Sequence, residues 1–181
     1  MPSLSFTHVV IARTKLNGVS KQALSRFASQ ARRAAGLDGS VEILLTNNAE
    51  MRRLNRQFRR KDKPTDVLSF PAAATNGNAG DIAISVGIAA DNAKRLGHPL
   101  AMELKILMLH GMLHLAGYDH ESDDGEMARE EHKLRAALKL PDSLIARTTG
   151  SSAATKPLRQ ASRVPRKKTT SAASHKTRRK R

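Results

Sequence analysis

Apolar positions along the chain fall into blocks of two different periods. Residues 4–12 (LSFTHVVIA) alternate and carry β-branched side chains, which predicts a strand. From 20 to 35 the apolar positions Ala23, Leu24, Phe27, Ala31 and Ala34 recur at helical spacing, with Ser20 as N-cap and Gly36 as stop. Residues 41–46 (VEILLT) predict a second strand. Asn47 then caps a helix carrying Met51, Leu54 and Phe58, with Glu50 placed for a capping box. A basic turn fills 59–64, and Pro64 holds its neighbour extended. Residues 67–70 predict a short strand ended by Pro71, 72–79 a loop, and 81–85 a fourth strand. A helix over 87–96 closes at Gly97. Pro99 suits the first position of the next helix, which runs to about Ala116. Its Leu100, Leu104, Leu107, Met108 and Leu115 make it the central buried helix. Asp123 and Glu126 open a last helix to about Leu140, with Met127, Leu134, Ala137 and Leu138 inward. About four strands and five helices, alternating early and helical late, predict an α+β (α/β-like) domain: one mixed sheet covered by helices.

Composition changes this picture at the C-terminus. From Arg147 onward the chain is Ser, Thr, Ala, Lys and Arg, with Leu158 and Val164 as its large apolar residues. Such a segment buries too little surface to offset the entropy of ordering, so 147–181 reads as a disordered basic tail and 1–146 as the folded domain. The formal charge is +16, of which twelve Lys or Arg and no acidic residue lie in 147–181, leaving about +4 for 1–146. The runs at 166–168 and 176–181 suit electrostatic association with RNA or the ribosome; a merely solubilising extension is the alternative.

The absence of cysteine excludes disulfides, thiolate metal sites and a Cys nucleophile, and fits a reducing compartment. The N-terminus shows no signal-peptide pattern, and the longest apolar run, 106–116, is too short to span a bilayer. The expectation is a soluble cytoplasmic protein with no membrane partner. At 3% aromatic residues, backbone-directed contacts fit nucleic acid better than base stacking.

The chemistry concentrates in residues 110–120, HGMLHLAGYDH, which hold three of the seven histidines. His110 and His114, four apart, share one helix face. Gly117 sits where a C′ glycine ends the helix and lets the chain bring His120 back. Three neutral imidazoles converging on one point form a metal site with an open fourth position, and this donor set favours zinc, with nickel, cobalt or iron as alternatives. The spacing matches the H-E-x-x-H-x-x-G-x-x-H of metzincin proteases at all three ligands and the glycine, giving a metzincin-like metal-binding helix. The proteases' general-base Glu is replaced by Gly111. A zinc so held lowers the pKa of bound water to about 7. Asp119, beside His120, is the candidate acceptor that orients a ligand imidazole; a plain turn residue is the alternative.

The block HGMLHLAGYDH, together with LNRQFRRKDKPTDVLSFP (54–71), GDIAIS (80–85) and the acidic ESDDGEMAREE (121–131), resembles the YbeY family of bacterial metal-dependent endoribonucleases. The resemblance covers about 40–140. It implies a single-strand-specific endoribonuclease in ribosomal RNA processing, notably 16S 3′-end maturation, and in ribosome quality control. It also implies one zinc on His110, His114 and His120, with Arg59 acting near the metal. A guanidinium has paired donors that match phosphate, which gives Arg59 a physical role. Lys61 and Lys63 extend a path for the RNA backbone, or form a solvated basic turn. Thr65 and Ser69 are polar candidates for the cleft lining. Two other readings remain open: a metal-dependent hydrolase of another substrate such as peptide, and a ribosome assembly factor with a structural metal.

Overall fold

The computed structural model describes residues 9–72, 77–120 and 123–141. Residues 4–8 of the first predicted strand, 73–76 of the loop and the tail from 147 lie outside the described residues.

The four strands are β1 (Val9–Ala12), β2 (Ser40–Thr46), β3 (Val67–Pro71) and β4 (Asn78–Ser85), in spatial order β1-β2-β4-β3. β1, β2 and β4 run parallel, while β3 lies antiparallel on β4 as an edge strand, so the sheet is mixed. The five helices are α1 (Lys21–Ala34), α2 (Asn48–Arg59), α3 (Val86–Leu96), α4 (Leu100–Leu115) and α5 (Glu126–Ala137).

The period-2 alternation of strands sorts side chains to two faces. Ile43, Leu45, Ile82 and Ile84 join the main core with residues of α1, α3, α4 and α5. The intervening Leu44, Ala83, Leu68 and Phe70 meet Met51 and Leu54 of α2 in a smaller cluster on the other face. α4 is apolar nearly all round, as a helix buried on every side must be. Its Leu104, Ile106, Leu107, Met108, Leu109, Met112 and Leu113 are 0–1% exposed. Each such side chain contributes about 1.5–3 kcal/mol by leaving water.

Local signals set most boundaries. Ser20 Oγ accepts from Ala23 N–H at 3.2 Å, and Asn47 Oδ1 from Glu50 N–H at 2.9 Å. Gly97 closes α3 at φ +72°. Four expectations need adjusting. The capping box at α2 is half made, because the Glu50 carboxylate is held by the Arg53 guanidinium at 2.7 and 3.0 Å. Pro99 is the N-cap of α4, one residue before its first turn. β4 starts at Asn78, because its early residues find partners on both β2 and β3. In α5 the expected inward Ala137 is exposed; the helix ends there, and Arg135 takes the buried position. Among the described residues, no helix is long and apolar enough to cross a membrane.

Candidate metal centre

α4 carries His110 and His114 on its last turns and stops one residue later. Ala116, Gly117 and Tyr118 donate N–H bonds back to Met112, His114 and Leu113, which satisfies the carbonyls at the helix end. Gly117 turns at φ +94°, a left-handed conformation in which a Cβ is strained. The reversal brings His120 back, its ring centroid 5.4 Å from that of His110 and 5.2 Å from that of His114. The possible ligand atoms of all three lie within 4.8 Å of one another. The Nε2 atoms of His110 and His114 are 3.2 Å apart. A tetrahedral ion with nitrogen ligands at about 2.0–2.1 Å needs nitrogens about 3.3 Å apart, so this pair fits without rearrangement.

The other ring nitrogens fix the tautomers. His110 Nδ1 lies 3.0 Å from Glu131 Oε2, and His114 Nδ1 lies 3.0 Å from the Tyr118 carbonyl. Each acceptor takes an Nδ1–H and leaves an Nε2 lone pair facing the cluster. Burial, then the proximity of His110 and His120, hold the His114 imidazole well below its ordinary value, at about 4; the Tyr118 carbonyl and Asp119 oppose this. At neutral pH His114 is therefore an uncharged donor, as a metal requires. The donor set thus fits a borderline-soft divalent ion.

Glu131 is fully buried, and so is its other partner: Arg135, 2% exposed, donates from Nε to Glu131 Oε1 at 2.7 Å. Arg135 Nη1 also donates to the Pro141 carbonyl at 2.9 Å. The sequence pattern singles out neither Glu131 nor Arg135. The available signal was position, since both lie on the α5 stripe of Met127 and Leu134, where a carboxylate and a guanidinium four apart interrupt an apolar face. Asp119, the sequence candidate for orienting an imidazole, is exposed beside His120. The orienting acceptors on His110 and His114 are Glu131 and the Tyr118 carbonyl, and Asp119 acts on His114 through its charge.

A cleft of about 620 Å³ opens over the histidines. His110, His114, His120 and Asp119 form one wall, and the segment of Arg59, Lys61, Lys63, Thr65 and Ser69 forms a second. All nine candidate residues therefore line a single cavity. Asn55, not anticipated from the sequence, holds the second wall. Its amide donates to the Lys63 carbonyl at 2.7 Å, and its own carbonyl accepts the N–H groups of Arg60 and Lys61 as α2 ends. Arg60 turns there at φ +56°. Two arginines further up α2 are neutralised, Arg52 by Asp62 and Arg53 by Glu50. Arg59, Lys61 and Lys63 have no carboxylate partner among the described residues. Ser69 Oγ donates to the Gly111 carbonyl at 3.1 Å, and Thr65 Oγ1 lies 3.2 Å from Asp66 Oδ1.

At Gly111, α4 lies close against the sheet. A Cβ there would meet Ile82 Cγ2 at 3.0 Å, Ile82 Cδ1 at 3.1 Å and Ser69 Oγ at 3.2 Å. The position that holds a glutamate in the proteases is thus crowded: Ile82 and Ser69 would have to give by a few tenths of an ångström.

The family model described as Endoribonuclease YbeY matches residues 5–139. A protein of Koribacter versatilis named Endoribonuclease YbeY is 60% identical over 141 residues, covering 78% of this chain and 92% of the relative. Another of that name from Solibacter usitatus is 48% identical over 127 residues, covering 70% and 85%. The solution structure of a Thermotoga maritima protein superposes with a TM-score of 0.53 at 28% identity, covering 84% of this chain and 99% of that one. With three-quarters of its length matched to that model and its histidine cleft built from the matched residues, this chain belongs to the Endoribonuclease YbeY family.

Proposed function

We propose that the protein is a single-strand-specific, zinc-dependent endoribonuclease acting in the cytoplasm on ribosomal RNA, in 16S 3′-end maturation and ribosome quality control. The observation that carries this reading is the gathering of three imidazoles and three cations, unpaired among the described residues, in one cleft. The cations suit a polyanionic backbone. When bound, the metal supplies Lewis-acid activation of water and of a phosphate oxygen. His110, His114 and His120 would hold it, leaving a fourth position open to the cleft. Arg59 donates to the non-bridging phosphate oxygens as negative charge grows on them. Lys61 and Lys63 draw the flanking phosphates along the wall. Ser69 fixes β3 to the backbone of the metal helix, and Thr65 lines the same wall. Water adds at phosphorus, and the bond to the departing ribose oxygen breaks. Residues 1–146 are the catalytic unit, and the basic residues 147–181 add salt-sensitive attraction to ribosomal RNA. The peptide-hydrolase reading lacks its base: Gly111 stands where the proteases carry a glutamate, and a Cβ there would crowd Ile82 and Ser69.

The test is metal analysis of untagged protein alongside cleavage of single-stranded and duplex RNA. Zinc at one per chain, with cleavage of the single strand that disappears on chelation and returns with zinc, is expected. Undiminished cleavage by rigorously metal-free protein would overturn the metal mechanism.

A further inference from the structure

The low aromatic content makes base stacking the less expected mode of contact, yet one of the few rings, Phe58, is exposed. Four Phe and one Tyr make up the whole aromatic content, with no Trp. Among the described residues, Phe27 is buried and Phe70 and Tyr118 are partly so, while Phe58 is 58% exposed. Helical spacing puts Phe58 on the stripe of Met51, Leu54 and Asn55, yet Phe58 is exposed where those three are buried or partly buried. Its ring meets that of Phe70 in an edge-type contact, with centroids 5.0 Å apart and planes at 67°. In that geometry one ring supports the other, and more than half of Phe58 stays open to solvent.

The location is specific. Phe58 directly precedes Arg59, and Phe70 lies between Ser69 and Pro71; those three residues line the cleft, so the pair stands beside its lining, on the α2 face of β3. The other large exposed apolar residues, Val9 and Ile11, are on β1 at the far edge of the sheet. An aromatic face beside unpaired cations is the arrangement that single-stranded nucleic-acid sites use: cations follow the backbone and a ring receives a base. A base is free to stack there only when it is unpaired, which ties the ring to strandedness.

We infer that Phe58, propped by Phe70, is a nucleobase-stacking platform for a nucleotide flanking the scissile phosphate of single-stranded RNA. This rests on the endoribonuclease reading above and adds a subsite to it. The platform takes any base, since every base has a π-face, so it selects for unpaired strand rather than sequence.

The experiment uses the full zinc-loaded chain and a short single-stranded oligoribonucleotide. Stacking of one base is worth about a tenfold change in affinity. Phe58→Ala should raise KM about tenfold, Phe58→Tyr and Phe58→Trp should restore it, and Phe58→Leu should not. In wild type, an abasic nucleotide moved along the oligonucleotide should raise KM by a similar factor at one flanking position, and Phe58→Ala should be insensitive there. Full function in Phe58→Leu, or indifference of wild type to every abasic position, overturns the platform and leaves the nuclease standing. Failure of wild type to cleave or bind any RNA overturns the nuclease and the platform together.

Discussion

α4 has a histidine–glutamate pair at each end. At its start, His98 Nε2 lies 3.1 Å from Glu103 Oε2, and the Glu103 side chain is fully buried. Near its end, His110 Nδ1 lies 3.0 Å from an equally buried Glu131 on α5. In isolation the two pairs are alike: an imidazole shields a carboxylate that the core has taken from water. They differ in what the second ring nitrogen meets. His98 Nδ1 lies 3.3 Å from the Pro99 carbonyl, so its second nitrogen is spent on local structure, while its Nε2 meets Glu103 at ion-pair distance without hydrogen-bond geometry. His110 Nε2 faces the Nε2 of His114. A buried His–Glu pair is therefore a packing device by default. It becomes an ion site only where the free nitrogens of several rings converge.

This contrast can be broken most severely at His114. His114→Ala removes one of three donors and should abolish stoichiometric zinc binding, with RNA cleavage falling at least about a thousandfold through the lost Lewis acid. Metal analysis and single-turnover cleavage on the same preparation check both. On the second wall, Arg59→Ala should leave zinc content unchanged and slow cleavage about 10²–10³-fold, the usual effect of removing one donor to a developing anion. An equal loss of zinc would show that Arg59 supports the metal wall instead.

Glu131→Gln and Glu103→Gln then compare the pairs directly. At Glu131, exchanging the carboxylate for an amide weakens the acceptor on His110 and should cost about 10–100-fold in zinc affinity, read by competition with a chromogenic chelator. At Glu103 the same exchange should cost about 1–3 kcal/mol of stability from imperfect pairing of a buried group, seen in denaturant unfolding, with zinc affinity unmoved. Equal effects of the two substitutions on zinc would erase the distinction between the ends of α4.

The parts legible in the sequence are those written in local rules. Ser20, Asn47 and Gly97 announced helix ends because a cap acts within a turn of itself. The spacing of His110, His114, Gly117 and His120 announced the cluster because helix periodicity plus one reversal suffices to converge them. Family resemblance points to Arg59, its basic neighbours Lys61 and Lys63 follow from charge, and Thr65 and Ser69 from a strand expected along the cleft; no periodicity places residues 59–69 beside 110–120. The roles of Glu131 and Arg135 were not legible for a different reason. A Glu and an Arg four apart are normally a solvated pair, and burial depends on which helix lies against them. Only the packed arrangement of α5 on α4 reveals that this pair is internal. Gly111 was read as the loss of a base. The structure adds a steric cause in Ile82 and Ser69.

Asn55 has a consequence for the energetics of substrate capture. It ties the Lys63 carbonyl to α2 while its own carbonyl receives the chain as it leaves that helix. Residues 60–63 are thus a short loop clasped at both ends by one amino acid. Fixing a backbone residue costs about 1–2 kcal/mol of configurational entropy. In a slack loop that cost would fall due when RNA arrives and would be subtracted from affinity. Here it is met when the protein folds, so the cations stand ready in the free protein and an incoming strand meets a rigid template.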